Sequence, residues 1–147
     1  MDPAPLLLAG LFRAHRTTRR QTGRRLQRAA RDIQDARRLL KTDPAWAAAL
    51  ALQGALQALR ALAFHAGLRP VVGPREEDAL GRFAAAAFGP EAREEVAFLA
   101  QVGQAKRRAA DPAGYRVTSQ DAAAAVTAAE RFLREARRRL AIQPTLW

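Results

Sequence analysis

Cysteine is absent from this chain of 147 residues, and histidine occurs only twice, at His15 and His65. The first absence excludes a disulfide scaffold, a thiolate metal site, a redox motif and a cysteine nucleophile. With so few imidazoles and 14 scattered carboxylates, little is left from which to build a metal centre, and no metal or cofactor is expected. Serine is just as scarce. Ser119 is the only one, and its place beside a helix start suits capping better than nucleophilic chemistry. Glycine-rich phosphate loops, paired-histidine zinc motifs and alternating strand patterns are missing too. Near the start the longest apolar stretch runs from Leu6 to Phe12, far short of the roughly 20 residues a spanning helix needs. Asp2 is the only charge before it, so the basic leader of a signal peptide is lacking as well. A cytoplasmic protein that does not engage a membrane is the expectation.

Lysine is almost missing, with Lys41 and Lys106 alone, yet basic residues number 25 against 14 acidic ones and the net charge is +11. A field of this sign attracts nucleic acid, anionic lipid or an acidic protein. A GC-rich genome would also favour arginine and the 36 alanines, but it accounts for arginine over lysine better than for the surplus of charge. That surplus is uneven. Residues 1–41 hold eleven basic and three acidic side chains, a net of +8, whereas residues 42–147 hold fourteen and eleven, a net of +3.

Hydrophobic residues make up 49% of the chain and charged ones 27%, which suits a globular domain rather than a disordered one. A chain this long can bury about two-thirds of its unfolded surface without a staple. Intervals of three and four dominate, so the expectation is an all-α fold. Pro5 to Ala14 reads as a short helix. A basic helix follows and ends near Lys41, with Leu26, Ala29, Ala30, Ile33, Ala36 and Leu40 on one face. Thr42-Asp43-Pro44 then stops it and caps a second helix to about Ala66, which offers Trp46, Leu50, Leu52, Leu56, Leu59, Leu62 and Phe64 to a core. Leu68 to Pro74 reads as a loop. A third helix is expected over 75–88, a fourth from Pro90 to about Ala110, and a last one capped by Thr118 with Asp121 in a capping box. The last helix would bury Val126, Ala129, Phe132, Leu133, Ala136 and Leu140. The architecture is an antiparallel bundle of four long helices plus a short additional one. It is one domain over 1–147, with 1–22 a basic N-terminal helix or arm and 23–147 the bundle.

Three arginine clusters stand out. Arg13, Arg16, Arg20, Arg24, Arg28 and Arg31 recur every three or four residues. On a continuous helix they would form a ridge, flanked by Arg19, Arg25 and Arg38, and suited to phosphate because a guanidinium donates two parallel hydrogen bonds to it. A merely solvated helix face is the competing reading, and Gly23 sits inside the stretch. Little aromatic interleaving argues against a base-stacking platform. A second stripe, Arg131, Arg134, Arg137 and Arg138, has Glu130 and Glu135 among it and reads as exposed ion pairs. The third is Lys106-Arg107-Arg108, followed by Asp111 and Tyr115. His65 reads as a core or helix-end histidine and His15 as part of the basic surface.

Arg31-Asp32-Ile33-Gln34-Asp35-Ala36-Arg37-Arg38-Leu39-Leu40, the Trp46 to Pro70 segment ending Ala66-Gly67-Leu68-Arg69-Pro70, and Arg107 to Val117 with the helix through Ala128-Ala129-Glu130-Arg131-Phe132-Leu133 occur in an order that resembles the HEPN family of small helical bundles. The likeness extends over roughly residues 24–140. It implies an RNA- or nucleotide-associated protein. Ribonuclease members of that family carry an arginine followed a few residues later by a histidine, at a site commonly formed across a dimer. Arg107 matches the arginine, Arg108 the adjacent polar position, and Asp111 the acidic residue of a variant of the motif. Where the histidine would stand, this chain has Pro112, Ala113, Gly114 and Tyr115. No imidazole is then at hand to take and return a ribose proton near neutrality, and tyrosine, with a pKa of about 10, is a weak substitute.

The expected function is binding of RNA or another polyanion through the arginine surfaces, without catalysis and with the six ridge arginines as contacts. One alternative is a metal-independent endoribonuclease of a toxin–antitoxin pair, using Arg107, Arg108 and Tyr115. Another is an interaction module, a homodimer whose basic helix docks an acidic partner such as a small nucleotidyltransferase.

Overall fold

The structure is a computed structural model that describes residues 1–104 and 116–141. Its first helix, α1 (Ala4–Leu8), is a single turn that buries Leu6. The segment expected as helix to Ala14 instead leaves α1 and becomes a strand, β1 (Phe12–Ala14).

The first long helix, α2 (Arg19–Leu39), begins where Thr18 and Gln21 satisfy each other's backbone. The Thr18 hydroxyl accepts from the Gln21 amide at 3.2 Å, and the Gln21 side chain accepts from the Thr18 amide at 3.1 Å. This reciprocal cap fixes the start of the helix, and Gly23 does not interrupt it. Ala29, Ile33 and Ala36 form the buried stripe.

Asp43 accepts a hydrogen bond from the Trp46 amide at 3.1 Å and Pro44 opens α3 (Pro44–His65), as the sequence dictates. Thirteen residues of α3 are buried, more than in any other described helix. Trp46 does not join the core. It is 41% exposed, because it lies in the first turn, where Pro44 and Ala45 are themselves only half-buried. Among the described residues α3 alone is long and apolar enough to cross a membrane, and 72% of that stretch is buried inside the fold. Its apolar character is that of a helix covered by neighbours on most sides.

Gly54 lets α2 and α3 approach. A Cβ at that position would lie 2.5 Å from Ile33 Cγ1 and 3.1 Å from the Ala29 carbonyl oxygen.

The loop expected after α3 contains a second strand, β2 (Leu68–Pro70), paired antiparallel with β1 so that Phe12 faces Pro70, Arg13 faces Arg69 and Ala14 faces Leu68. Gly67 makes the turn into it at φ +82°, a conformation that a side chain would strain. A ribbon of three residues per strand is marginal by itself. Burial of Phe12 and Leu68, 3% and 1% exposed, supplies about 2 kcal/mol each and fastens it to the core. Arg13 and Arg69 are left together on the outer face.

Two helices of thirteen residues follow, α4 (Glu76–Phe88) and α5 (Glu91–Gly103), each with carboxylates in its first turn, where they suit the positive end of the helix dipole. The last described helix, α6 (Ser119–Ala141), starts at the expected capping box. The Thr118 amide donates to Asp121 at 3.2 Å and the Asp121 amide to the Thr118 hydroxyl at 3.0 Å. All six residues expected in its stripe are buried. The protein is thus mostly helical with a small two-stranded sheet. In place of four long helices and a short one, the described residues hold three helices of 21 to 23 residues, two of 13 and one of 5.

Candidate functional site

The six ridge arginines do not share one helix. Arg13 is on β1 and Arg16 lies in the linker ahead of the Thr18 cap, both exposed. The other four are on α2, all exposed. Of these, Arg24, Arg28 and Arg31 line an open groove of about 720 Å³, while Arg20 stands outside its lining. Arg107, Arg108 and Tyr115, with Lys106 and Asp111, lie outside the described residues.

The groove gathers residues from three elements. The helix α2 contributes Gln21, Arg25 and Gln27 besides the three arginines. Gln57 and Phe64 come from α3, Arg69 from β2, and His15 from the residue after β1. No carboxylate lines it, and Arg24, Arg28, Arg31 and Arg69 form no salt bridge among the described residues.

Arg25 is the fixed member of the set. Its Nη1 donates to Gln57 Oε1 at 3.2 Å, and its guanidinium lies 4.5 Å above the Phe64 ring. This cation–π contact, with a hydrogen bond at one edge of the fork, holds the head in place. Partial burial, and then the neighbouring charges of Arg60 and Arg69, lower its pKa from the ordinary arginine value. Glu76 opposes that shift but is itself bonded to Arg60 at 2.6 Å. His15 continues the ribbon, its amide donating to the Gly67 carbonyl at 2.9 Å, and its ring meets Phe64 at 5.3 Å between centroids. Phe64 therefore has Arg25 and His15 against it and is only 8% exposed, which leaves little of its ring for base stacking.

A carboxylate does stand near the groove. Burial pushes the Asp32 carboxyl above its ordinary value, and the charge of Arg28 works against that shift. His65, by contrast, is exposed in the last turn of α3, as a helix-end histidine.

The second arginine stripe is half paired, since Arg134 and Arg137 are exposed and form no salt bridge among the described residues. Arg131 pairs with Glu95, Arg138 bonds Glu135 at 2.8 Å, and Glu130 is taken by Arg37 from α2. Its neighbour Arg139 lies over Phe88 at 4.5 Å and donates to the Ala87 carbonyl at 2.6 Å. A smaller hollow of about 360 Å³ between α4 and α5 contains Glu77 and Asp78. Glu77 accepts from Gln104 and Asp78 pairs with Arg93. Among the described residues no group of three or more His, Asp or Glu side chains is placed to hold a metal ion.

The spacing of the arginines points to Arg24, Arg28 and Arg31. Arg69, Gln57 and Phe64 carry no such signal, because only the packing of α3 and the ribbon against α2 brings them there. A family model described as HEPN domain matches residues 22–139. No curated protein and no solved structure matches the chain.

Proposed function

Because the chain belongs to the HEPN family, which suggests association with RNA or nucleotides in general, we propose that it binds RNA through the arginine-lined groove and acts without cleaving it. One observation carries this reading. Five arginines line a single open groove that has no carboxylate in its wall. Like charges gathered this way repel one another, and a phosphate backbone relieves the repulsion as it releases its own counterions. Guanidinium forks supply paired hydrogen bonds to phosphate oxygens. The covered face of Phe64 favours contact with the backbone over stacking on bases, so little sequence preference is expected.

A binding role rather than a nuclease role is supported by the sequence after Arg107. No histidine occurs anywhere beyond His65, so the acid–base partner expected beside a catalytic arginine is missing from that segment.

The test is a titration of fluorescent single-stranded RNA across a salt series in chelator, with endpoints run on a denaturing gel. Affinity should fall linearly on logarithmic axes, with a slope of about −0.7 per phosphate neutralised, and the RNA should stay intact. Affinity that is absent or indifferent to salt would refute the proposal. Cleavage that disappears in Arg107→Ala would replace it with the nuclease reading.

A further inference from the structure

Within the groove the positive charge is not spread evenly. Arg24, Arg28 and Arg31 are exposed along α2, and a helix rise of 1.5 Å per residue sets them about 6 and 4.5 Å apart along the axis. That is a track suited to successive single charges. Arg25 is different. It is half-buried, held by Gln57 and Phe64, and lines the same groove as Arg69, whose charge bears on it. Arg69 in turn stands directly across the ribbon from Arg13, and like charges at facing strand positions disfavour each other. Gln57 engages only Nη1 of Arg25, which leaves the other donors of the fork unspent. The corner is therefore preorganised and doubly positive. A ligand carrying two charges on one phosphorus answers it better than a ligand carrying one.

We propose that the Arg25–Arg69 corner is a receptor for a terminal phosphomonoester of RNA, with Arg24, Arg28 and Arg31 following the phosphodiesters that adjoin it. The assignment rests on the RNA-binding reading above and narrows its ligand. A phosphomonoester carries about −1.5 to −2 charges at neutral pH and three acceptor oxygens, against one charge for an internal phosphodiester. The volume of about 720 Å³ falls in the range of about 300–1,000 Å³ typical of small-ligand sites. It has room for the end of a strand.

The experiment compares RNA oligonucleotides of one sequence that end in 5′-hydroxyl, 5′-phosphate, 3′-hydroxyl or 3′-phosphate. The fluorophore is at the opposite end, and the partner is the full-length protein in chelator. One phosphorylated end should bind about tenfold more tightly than its hydroxyl counterpart, the factor expected of an added charge-assisted bidentate contact. The 5′ and 3′ arms show which end it is. The preference should shrink to less than about twofold in Arg69→Gln and in Arg25→Gln and persist in Arg20→Gln. Arg69 is exposed, so its variant keeps the test open should Arg25→Gln melt early. RNA bound equally well with and without an end phosphate would overturn the receptor while leaving RNA binding intact. A preference that survives both corner substitutions would overturn it too. Failure to bind any of the four oligonucleotides would refute the RNA-binding reading itself and the receptor with it.

Discussion

The arginines of α2 and of α6 look alike in sequence and differ in what surrounds them. Three of the five on α6 are engaged, Arg131 by Glu95, Arg138 by Glu135 and Arg139 by Phe88 and the Ala87 carbonyl, while Arg134 and Arg137 form no salt bridge among the described residues. Arg24, Arg28, Arg31 and Arg69, by contrast, line a common groove and have no ion-pair partner among the described residues. Both surfaces are rich in cations, but carboxylates stand among those of α6, whereas none lines the groove. A ligand at Arg131 or Arg138 must compete with a carboxylate already in place, whereas a ligand in the groove competes with water and salt. If RNA binds as proposed, the partners of the arginines, rather than their number, should decide where.

Among single substitutions, the largest change in affinity should come from placing a carboxylate in the groove. In Gln57→Glu a carboxylate replaces the neutral acceptor beside Arg25, so affinity for single-stranded RNA should fall about tenfold or more at low salt as an internal charge-assisted bond forms. A melting temperature that rises while affinity drops would accompany it, and unchanged affinity would show that Arg25 does not meet the ligand.

Next in size is the platform on which the groove stands. Gly54→Ala puts a methyl group against Ile33 and the Ala29 carbonyl, and overpacking of this kind costs about 1–3 kcal/mol. Calorimetry should register it at about 2–4 °C of melting temperature per kcal/mol. A melt that does not move would mean that α2 and α3 are further apart at this point.

On α6 the effects should be small. A double-mutant cycle over Arg131→Gln and Glu95→Gln, two partly exposed side chains, should give a coupling of no more than about 1 kcal/mol. RNA affinity should stay within about twofold in Arg131→Gln if α6 takes no part in binding.

The smallest effect concerns Asp32, whose carboxyl is pushed up by burial. Its folded pKa lies above its unfolded one, so its ionised form is disfavoured by folding. Stability is then highest below the unfolded value and declines as pH rises through the folded value. Asp32→Asn should thus be slightly more stable at neutral pH, by about 0.5 kcal/mol or less, and lose that advantage in acid. The same change frees Arg28 of a nearby negative charge, and RNA binding should tighten about twofold.

Much of the helical framework was legible because its signals are local. Asp43-Pro44, Thr118 with Asp121, and Gly89-Pro90 mark helix ends through backbone chemistry that needs no tertiary partner. The Val126 to Leu140 stripe is read from spacing alone. Thr18 and Gln21 carry the same kind of capping signal, and they separate Arg13 and Arg16 from the helix that bears the other ridge arginines. The ribbon was not legible. Three residues per strand are too few for alternation to show, and Phe12 and Leu68 earn their burial from α-helical neighbours distant in sequence. For the same reason Arg69 and Gln57 could not be joined to Arg24 and Arg28 by spacing, since their meeting is a product of packing.

Two variants of identical charge separate the groove from the net charge of +11. One is the triple Arg24→Gln, Arg28→Gln, Arg31→Gln, and the other the triple Arg134→Gln, Arg137→Gln, Arg138→Gln. Each is titrated with single-stranded RNA over a salt series. If the groove binds, the first triple loses affinity on the order of 100-fold at low salt and its salt slope flattens by about 2, while the second stays within about threefold of the parent protein. Equal losses in the two triples would contradict the groove and leave overall charge as the whole of the attraction.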